Sequence, residues 1–242
     1  MRTLQTSQTF REVAAPHSRQ NVGLCADRLA YLAALSSQSR AVAHIGCTDA
    51  PFTEARLRDG LLLHERLLSV NKEVVGVDVD ANGLRVLSGV FPNAQFSCAD
   101  YSSDVSSDHI GAFDLVLCPE VIEHVPDPRS LLLGCRRVLR PDGCLCVTAP
   151  NACSPKPALR ALLGYEVVHP DHYCYYSART LERLLDASGF SVTAVLTYLS
   201  YQPSRPGALF NVLLRLGHLA RRGPIGDGLI VLAKPRAAAA SL

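Results

Sequence analysis

Glu120, Glu123 and His124 stand at i, i+3 and i+4 in the segment FDLVLCPEVIEHVPDP, Phe113 to Pro128. On a helix that spacing puts all three side chains on one face. Two carboxylates and an imidazole held together can bind a divalent cation or carry a proton. Just before them, Phe113 to Leu117 is an apolar run that reads as a buried strand. In an open α/β sheet the chemistry lies outside the carboxyl ends of such strands. The cluster therefore calls for a mostly parallel sheet in the rest of the chain.

Strand and helix signals do alternate. Residues 21–37 read as a helix, with Leu24, Arg28, Leu32 and Leu35 on one approximate stripe. Ala41 to Ile45 reads as a strand, LLLHERLLSV as a helix, and Glu73 to Val77 as a strand ending at Asp78. Asp80 can cap a helix over Ala81 to Val90. Gln95 to Cys98 is the next strand, followed by Phe113 to Leu117. Ser130 to Leu139 reads as a helix stopped by the turn signal RPDG, and Cys144 to Thr148 as a strand. A loop rich in proline and aromatic residues runs to Tyr176, and Ser177 caps a helix that Gly189 ends. Ser191 to Thr197 and Leu229 to Ala233 complete seven strands, with an apolar helix, Leu209 to Leu219, between them. This order predicts a doubly wound, mostly parallel α/β sheet with an antiparallel edge. One domain over 21–236 is expected, with a flexible segment at 1–20 and a frayed tail at 237–242.

Composition narrows the class. With 48% apolar and 19% charged residues, the 242-residue chain can bury a core and is not a disordered one. No apolar run is long enough to span a bilayer, and MRTLQTSQTFREVAAP lacks the apolar centre of a signal peptide. A soluble, cytoplasmic protein is expected. Nine cysteines without a CxxC pair read as reduced thiols, with Cys118, Cys144 and Cys146 inside buried strands. A net charge of +2 gives no general attraction to nucleic acid. Six Arg or Lys residues against one acid, Asp227, lie between Arg205 and Arg236; they suit a solvated face or a weak contact with an anionic surface.

Taken in order, AVAHIGCTDA, VVGVDVDANGL, FSCADY, FDLVLCPEVIEHVPDP and VLRPDGCLCVTAPN resemble the motifs of class I S-adenosylmethionine-dependent methyltransferases, over roughly residues 40–195. The resemblance implies a Rossmann-like fold and S-adenosylmethionine as cofactor. It implies that Gly46 lets the backbone approach the cofactor and that Asp78 accepts from the ribose hydroxyls. Asp100 would meet the adenine amino group, Val79 or Tyr101 would cover the adenine ring, and Cys118 and Pro119 would lie near the sulfonium. The first loop departs from the family pattern: HIGCTDA has His44 where an acid is usual, and Thr48 and Ala50 where glycine is usual.

EVIEH followed by a later histidine is similar to two metal-using groups, the ubiquinone-pathway O-methyltransferases and small-RNA 2′-O-methyltransferases. The implied metal ligands are Glu120, Glu123, His124 and His172, with His169 in reserve; the ion would be Mg, Mn, Zn or Fe. Without a metal, His124 or His172 would serve as a general base. The bland alternative is that Glu120 stabilises a helix N-terminus and His124 only packs. The expected activity is O-methylation of a small-molecule, sugar or lipid-linked hydroxyl. The alternative is a non-catalytic scaffold with an altered cofactor loop. A nicotinamide-dependent dehydrogenase is disfavoured because no GxGxxG follows the first strand.

Overall fold

The computed structural model describes residues 22–103, 111–166, 168–199, 212 and 225–237. The expected N-terminal segment 1–20, nearly all of the 209–219 helix and residues 238–242 of the tail lie outside these.

Eight strands form one sheet. They are β1 (Gly23–Cys25), β2 (Val42–Ile45), β3 (Val74–Asp78), β4 (Gln95–Cys98), β5 (Phe113–Pro119), β6 (Leu139–Pro150), β7 (Phe190–Tyr198) and β8 (Gly228–Pro235). The order across the sheet is β1-β7-β8-β6-β5-β2-β3-β4. All neighbours run parallel except β8, which is antiparallel to both β6 and β7. The mostly parallel sheet with antiparallel pairing at one end is thus as expected, with one strand more. The extra strand is β1, taken from the start of the expected 21–37 helix. Asp27 decides the split: its side chain accepts from the Ala30 N–H and caps α1 (Arg28–Ser37), leaving Gly23–Cys25 to pair with β7.

Alternate residues of the central strands feed opposite faces, as the period of two requires. Val116, Cys118, Leu145 and Val147 pack with Leu131, Leu132 and Cys135 of α5 (Pro128–Val138) and with Leu181 and Leu185 of α7 (Ala178–Ala187). Leu115, Leu117 and Cys146 face the other way. They meet Leu32 of α1 and Leu67 of α3 (Leu63–Val70). Cys118 and Cys146 are buried free thiols, as expected, and Cys144 is half-buried.

Two readings of local structure change. RPDG does not end the helix as a free turn. It is bulged out of β6, where Phe113 pairs with Leu139 and Leu115 with Cys144. Within the loop expected before Tyr176, α6 (Pro155–Leu162) forms, because Pro155 stands in the first turn, where proline costs no hydrogen bond. The polar 51–60 segment likewise contains a short helix, α2 (Thr53–Arg58), and Asp80 caps α4 (Ala81–Val90) through the Asn82 and Gly83 N–H groups.

Gly134 of α5 lets the helix lie directly on the chain that follows β4: a Cβ there would lie 2.0 Å from the Tyr101 carbonyl oxygen. Gly134→Ala is expected to destabilise the fold by about 1–3 kcal/mol, as forced overpacking does. A Cβ at exposed Gly89 of α4 meets nothing within 4 Å, so Gly89→Ala should raise stability by up to about 1 kcal/mol. Urea midpoints of the two variants check both signs.

Candidate active site

The carboxyl ends of β2, β3 and β5 open on one cleft of about 470 Å³. One wall is the turn after β2. Gly46 adopts φ +76°, and a Cβ there would strike the Val121 side chain at 2.5 Å, so this position requires glycine twice over. Asp78, at the end of β3, lies next to it and is nearly buried. Its Oδ2 accepts from both the backbone N–H (2.9 Å) and the hydroxyl (2.8 Å) of Thr48. Its Oδ1 accepts from the Asp80 N–H at 3.0 Å. Val79 follows, exposed on the cleft lining.

The opposite wall comes from the turn after β5. The three side chains of EVIEH do not share a helical face. Glu120 has φ +53°, and only Ile122–His124 form a short 3-10 turn. The tight bend sends the three groups apart. Glu120 turns back to the sheet, where one oxygen accepts from the Thr148 hydroxyl (2.6 Å) and the Tyr198 hydroxyl (2.9 Å) and pairs with the Arg28 guanidinium (3.3 Å). Glu123 points inward, 1% exposed, and neither carboxylate oxygen has a hydrogen-bond partner among the described residues. Burial, with Glu120 close by, pushes its carboxyl up to about 8, against the pull of a backbone hydrogen bond and Arg28. His124 alone of the three turns toward the chain segment between α6 and α7.

That segment brings the expected partner. The His124 and His172 rings meet edge-on at 4.5 Å between centroids. His169, the reserve candidate, joins them at 5.4 Å from His124 and 5.2 Å from His172. The three imidazoles each offer a nitrogen, all within 4.8 Å of one another. A backbone bond from the Tyr173 N–H to the Glu123 carbonyl (2.8 Å) pins the two segments together. Burial lowers the pKa of His124, helped by His169, and of His172, helped by His124. Both rings therefore favour the neutral form.

The remaining expected cofactor contacts divide. Gly46, Asp78, Val79 and Pro119 line the cleft, whereas Asp100, Tyr101 and Cys118 are not among its lining residues. Asp100 is exposed and accepts from the N–H and hydroxyl of Ser102. Tyr101 is buried beneath α5, and Cys118 lies fully buried in the same core. Of the two candidates for covering an adenine ring, Val79 is the one that faces the cleft.

A family model described as a methyltransferase domain matches residues 17–195. The chain belongs to that family. The curated relatives include the ubiquinone biosynthesis O-methyltransferase of Thiobacillus denitrificans, 29% identical over 64% of this chain and 72% of that protein. A second ubiquinone biosynthesis O-methyltransferase, from Albidiferax ferrireducens, is 32% identical over 45% of this chain and only 44% of that protein. Among solved structures, an S-adenosylmethionine-dependent methyltransferase from Archaeoglobus fulgidus superposes with a TM-score of 0.53 at 19% identity, covering 86% of this chain and 91% of that one. The N-methyltransferase NodS of Bradyrhizobium japonicum, solved with S-adenosyl-L-homocysteine, gives 0.53 at 16% identity over 86% of this chain and 85% of that one. Likeness at such identities speaks for the class I methyltransferase fold.

Two features of this methyltransferase were not legible beforehand. Arg28 looked like part of a helical stripe, yet it reaches the cleft over the Tyr198 ring, 5.2 Å from its centroid. A charged residue interrupting an otherwise apolar stripe was the one available signal. His44, which replaces the family's usual acid, is matched by a second buried imidazole: its Nδ1 lies 3.0 Å from the Nδ1 of His64, with the rings stacked at 5.3 Å. One nitrogen must donate and the other accept, and burial turns both rings toward the neutral form.

Burial lowers the His64 pKa from 6.5 to about 4. Between these values the unfolded chain binds a proton that the folded one refuses, so stability is full above pH 6.5 and falls toward pH 4. The loss attributable to His64 is on the order of 3 kcal/mol. Urea unfolding at pH 7 and pH 4.5 should show it, and His64→Leu should flatten the slope.

Proposed function

We propose that this chain transfers the methyl group of S-adenosylmethionine to a hydroxyl of a small or lipid-linked acceptor. The observation that carries the reading is that a single cleft joins Gly46, Asp78 and Val79 to His124, His169 and His172. A donor wall and a proton-accepting wall on one cavity are what methyl transfer to oxygen needs. Asp78 would accept from the ribose, and Val79 would cover the adenine. The guanidinium of Arg28 would meet the cofactor's carboxylate. On the acceptor side a neutral His124 or His172 takes the hydroxyl proton as the oxygen attacks the methyl carbon. The carbon–sulfur bond breaks, its electrons return to sulfur, and S-adenosylhomocysteine is left.

The names of the ubiquinone relatives favour oxygen as the acceptor atom. An apolar acceptor is further supported by exposed Leu159, Leu162, Leu163 and Tyr165, carried on the segment that leads to His169 and His172. No helix among the described residues is long and apolar enough to cross a membrane.

The three imidazoles also fit a divalent ion. The His172 Nδ1 is buried without a hydrogen-bond partner among the described residues, and metal–imidazole bonds of about 2.0–2.1 Å lie within reach of the set. A bound ion would lower the pKa of the acceptor hydroxyl and orient it. His124, His169 and His172 would hold it. Glu120 is tied to Thr148, Tyr198 and Arg28, and Glu123 is buried and shifted toward its protonated form, so both stand further from a ligand role than the resemblance implied.

A scaffold role remains the second reading, and the observation behind it is the engagement of Asp78 by Thr48. Calorimetry with S-adenosylmethionine separates the two. The intact protein should bind the cofactor, and Asp78→Ala should weaken it roughly ten- to a hundredfold, the usual worth of charge-assisted hydrogen bonds. No binding by the intact protein would favour the scaffold. His124→Ala and His172→Ala are each expected to lower kcat by about 10²-fold or more while cofactor affinity holds. If a metal takes part, EDTA abolishes turnover and added Mn, Mg, Zn or Fe restores it; turnover indifferent to both confines the histidines to acid–base work.

A further inference from the structure

We propose that Thr48 occupies, with its own hydroxyl, the acceptor position on Asp78 that a cofactor ribose hydroxyl would use, and so sets a weak affinity for the methyl donor. The inference rests on the reading of Asp78 as the ribose acceptor. A carboxylate offers about four lone-pair positions, two on each oxygen. Here the N–H and the hydroxyl of Thr48 fill both positions on Oδ2, and the Asp80 N–H takes one on Oδ1. One position is left, and a ribose brings two hydroxyls. The backbone bonds from Thr48 and Asp80 shape the turn after β2 and the start of α4, so they must stay. The Thr48 hydroxyl bond is the one that can open.

The position is not a rotamer that can simply swing aside. Thr48 is 0% exposed. Its Cβ and methyl carbon lie 2.8 Å from where a Cβ on Gly83 would stand, so the methyl group is seated on the bare backbone of the first turn of α4. A threonine held this way keeps its hydroxyl on Asp78 by packing as well as by hydrogen bonding. Cofactor binding then has to break a charge-assisted bond or turn a packed side chain. The cost appears as lost affinity, while the chemistry of the acceptor wall is untouched.

The test is isothermal calorimetry on the full chain with S-adenosylmethionine, S-adenosylhomocysteine and 5′-methylthioadenosine, which keeps the ribose and lacks the amino-acid tail. Thr48→Ala should bind all three roughly tenfold more tightly, the equivalent of about 1.4 kcal/mol. Thr48→Ser, which keeps the hydroxyl and loses only the methyl group that helps to seat it, should gain clearly less than Thr48→Ala. A Thr48→Ala affinity that is unchanged or weaker for all three overturns the proposal and makes Thr48 a support for Asp78 instead. So does a gain in Thr48→Ser as large as that of Thr48→Ala, which would assign the effect to the methyl group alone. Because Thr48 is buried, each variant is first melted without ligand, and the ligand-induced shift in Tm is read against its own baseline as a second measure. Asp78→Ala separates the layers: parent-like affinity there removes the ribose role of Asp78 itself, whatever Thr48 does.

Discussion

The carboxylate of Glu120 gathers hydroxyl bonds from Thr148 and Tyr198 and an ion pair from Arg28 on a single oxygen. Those partners belong to β6, β7 and the first turn of α1. Glu120 itself stands in the left-handed region at φ +53°, a conformation that costs a non-glycine residue roughly 1–2 kcal/mol. Its N–H to the Thr148 carbonyl, at 2.9 Å, holds the bend from the other side. The turn that follows inherits its direction from this anchor. Because the chain reverses at Glu120, Glu123 is driven into the core and His124 is left facing the histidines of the later segment. Loosening the anchor would not merely remove a salt bridge. It would release the bend that decides what each of the three groups lining the cleft meets there.

The same anchor sets the electrostatics. Arg28 is the cation that both Glu120 and Glu123 feel. Burial disfavours its charge, but Tyr198, Glu120, Asp49 and Glu123 more than offset that and raise its pKa. Glu120 holds Arg28 directly, whereas the buried Glu123 has no direct partner and is pushed toward neutrality instead. Two carboxylates three residues apart thus differ in their partners, one held by a guanidinium and the other without a hydrogen-bond partner among the described residues. A similar division runs through the histidines. His44 and His64 are neutral because they are buried and share one hydrogen bond, while His124 and His172 are driven toward neutrality by partial burial and by one another.

Much of this was legible in the sequence where short-range rules suffice. The strands read well because each central one is an apolar run buried on both faces, and Asp80 and Ser177 announced their helices as caps. The pairing of His124 with His172, and the place of Gly46, Asp78 and Val79, followed from motif order. What failed to show was long-range. Arg28 lies 92 residues from Glu120 in the chain, and nothing local reveals that a helix-stripe arginine will cross to it. His64 sits in the LLLHERLLSV helix with nothing local to mark it as core, yet it is fully buried, because its stacking partner comes from β2. Asp100 and Tyr101 were assigned by motif position, but the chain beyond β4 turns Tyr101 under α5, where the bare Gly134 makes room for it.

The altered turn after β2 follows from the same logic. An acid at position 44 would be desolvated against the imidazole of His64, which is itself packed 5.2 Å from the Phe96 ring. A neutral imidazole avoids that cost and satisfies its own Nδ1 with the Nδ1 of His64. Substituting histidine for an acid removes one negative charge from the wall that would face a cationic sulfonium cofactor. Asp78 remains on that wall as a carboxylate already solvated by the chain's own donors from Thr48 and Asp80. On the proposed reading, a cofactor in such a pocket would draw its affinity less from charge than from shape, from the close backbone approach at Gly46, and from the apolar cover of Val79. Across the cleft from it, the imidazoles of His124, His169 and His172 converge, and burial turns His124 and His172 toward the neutral form.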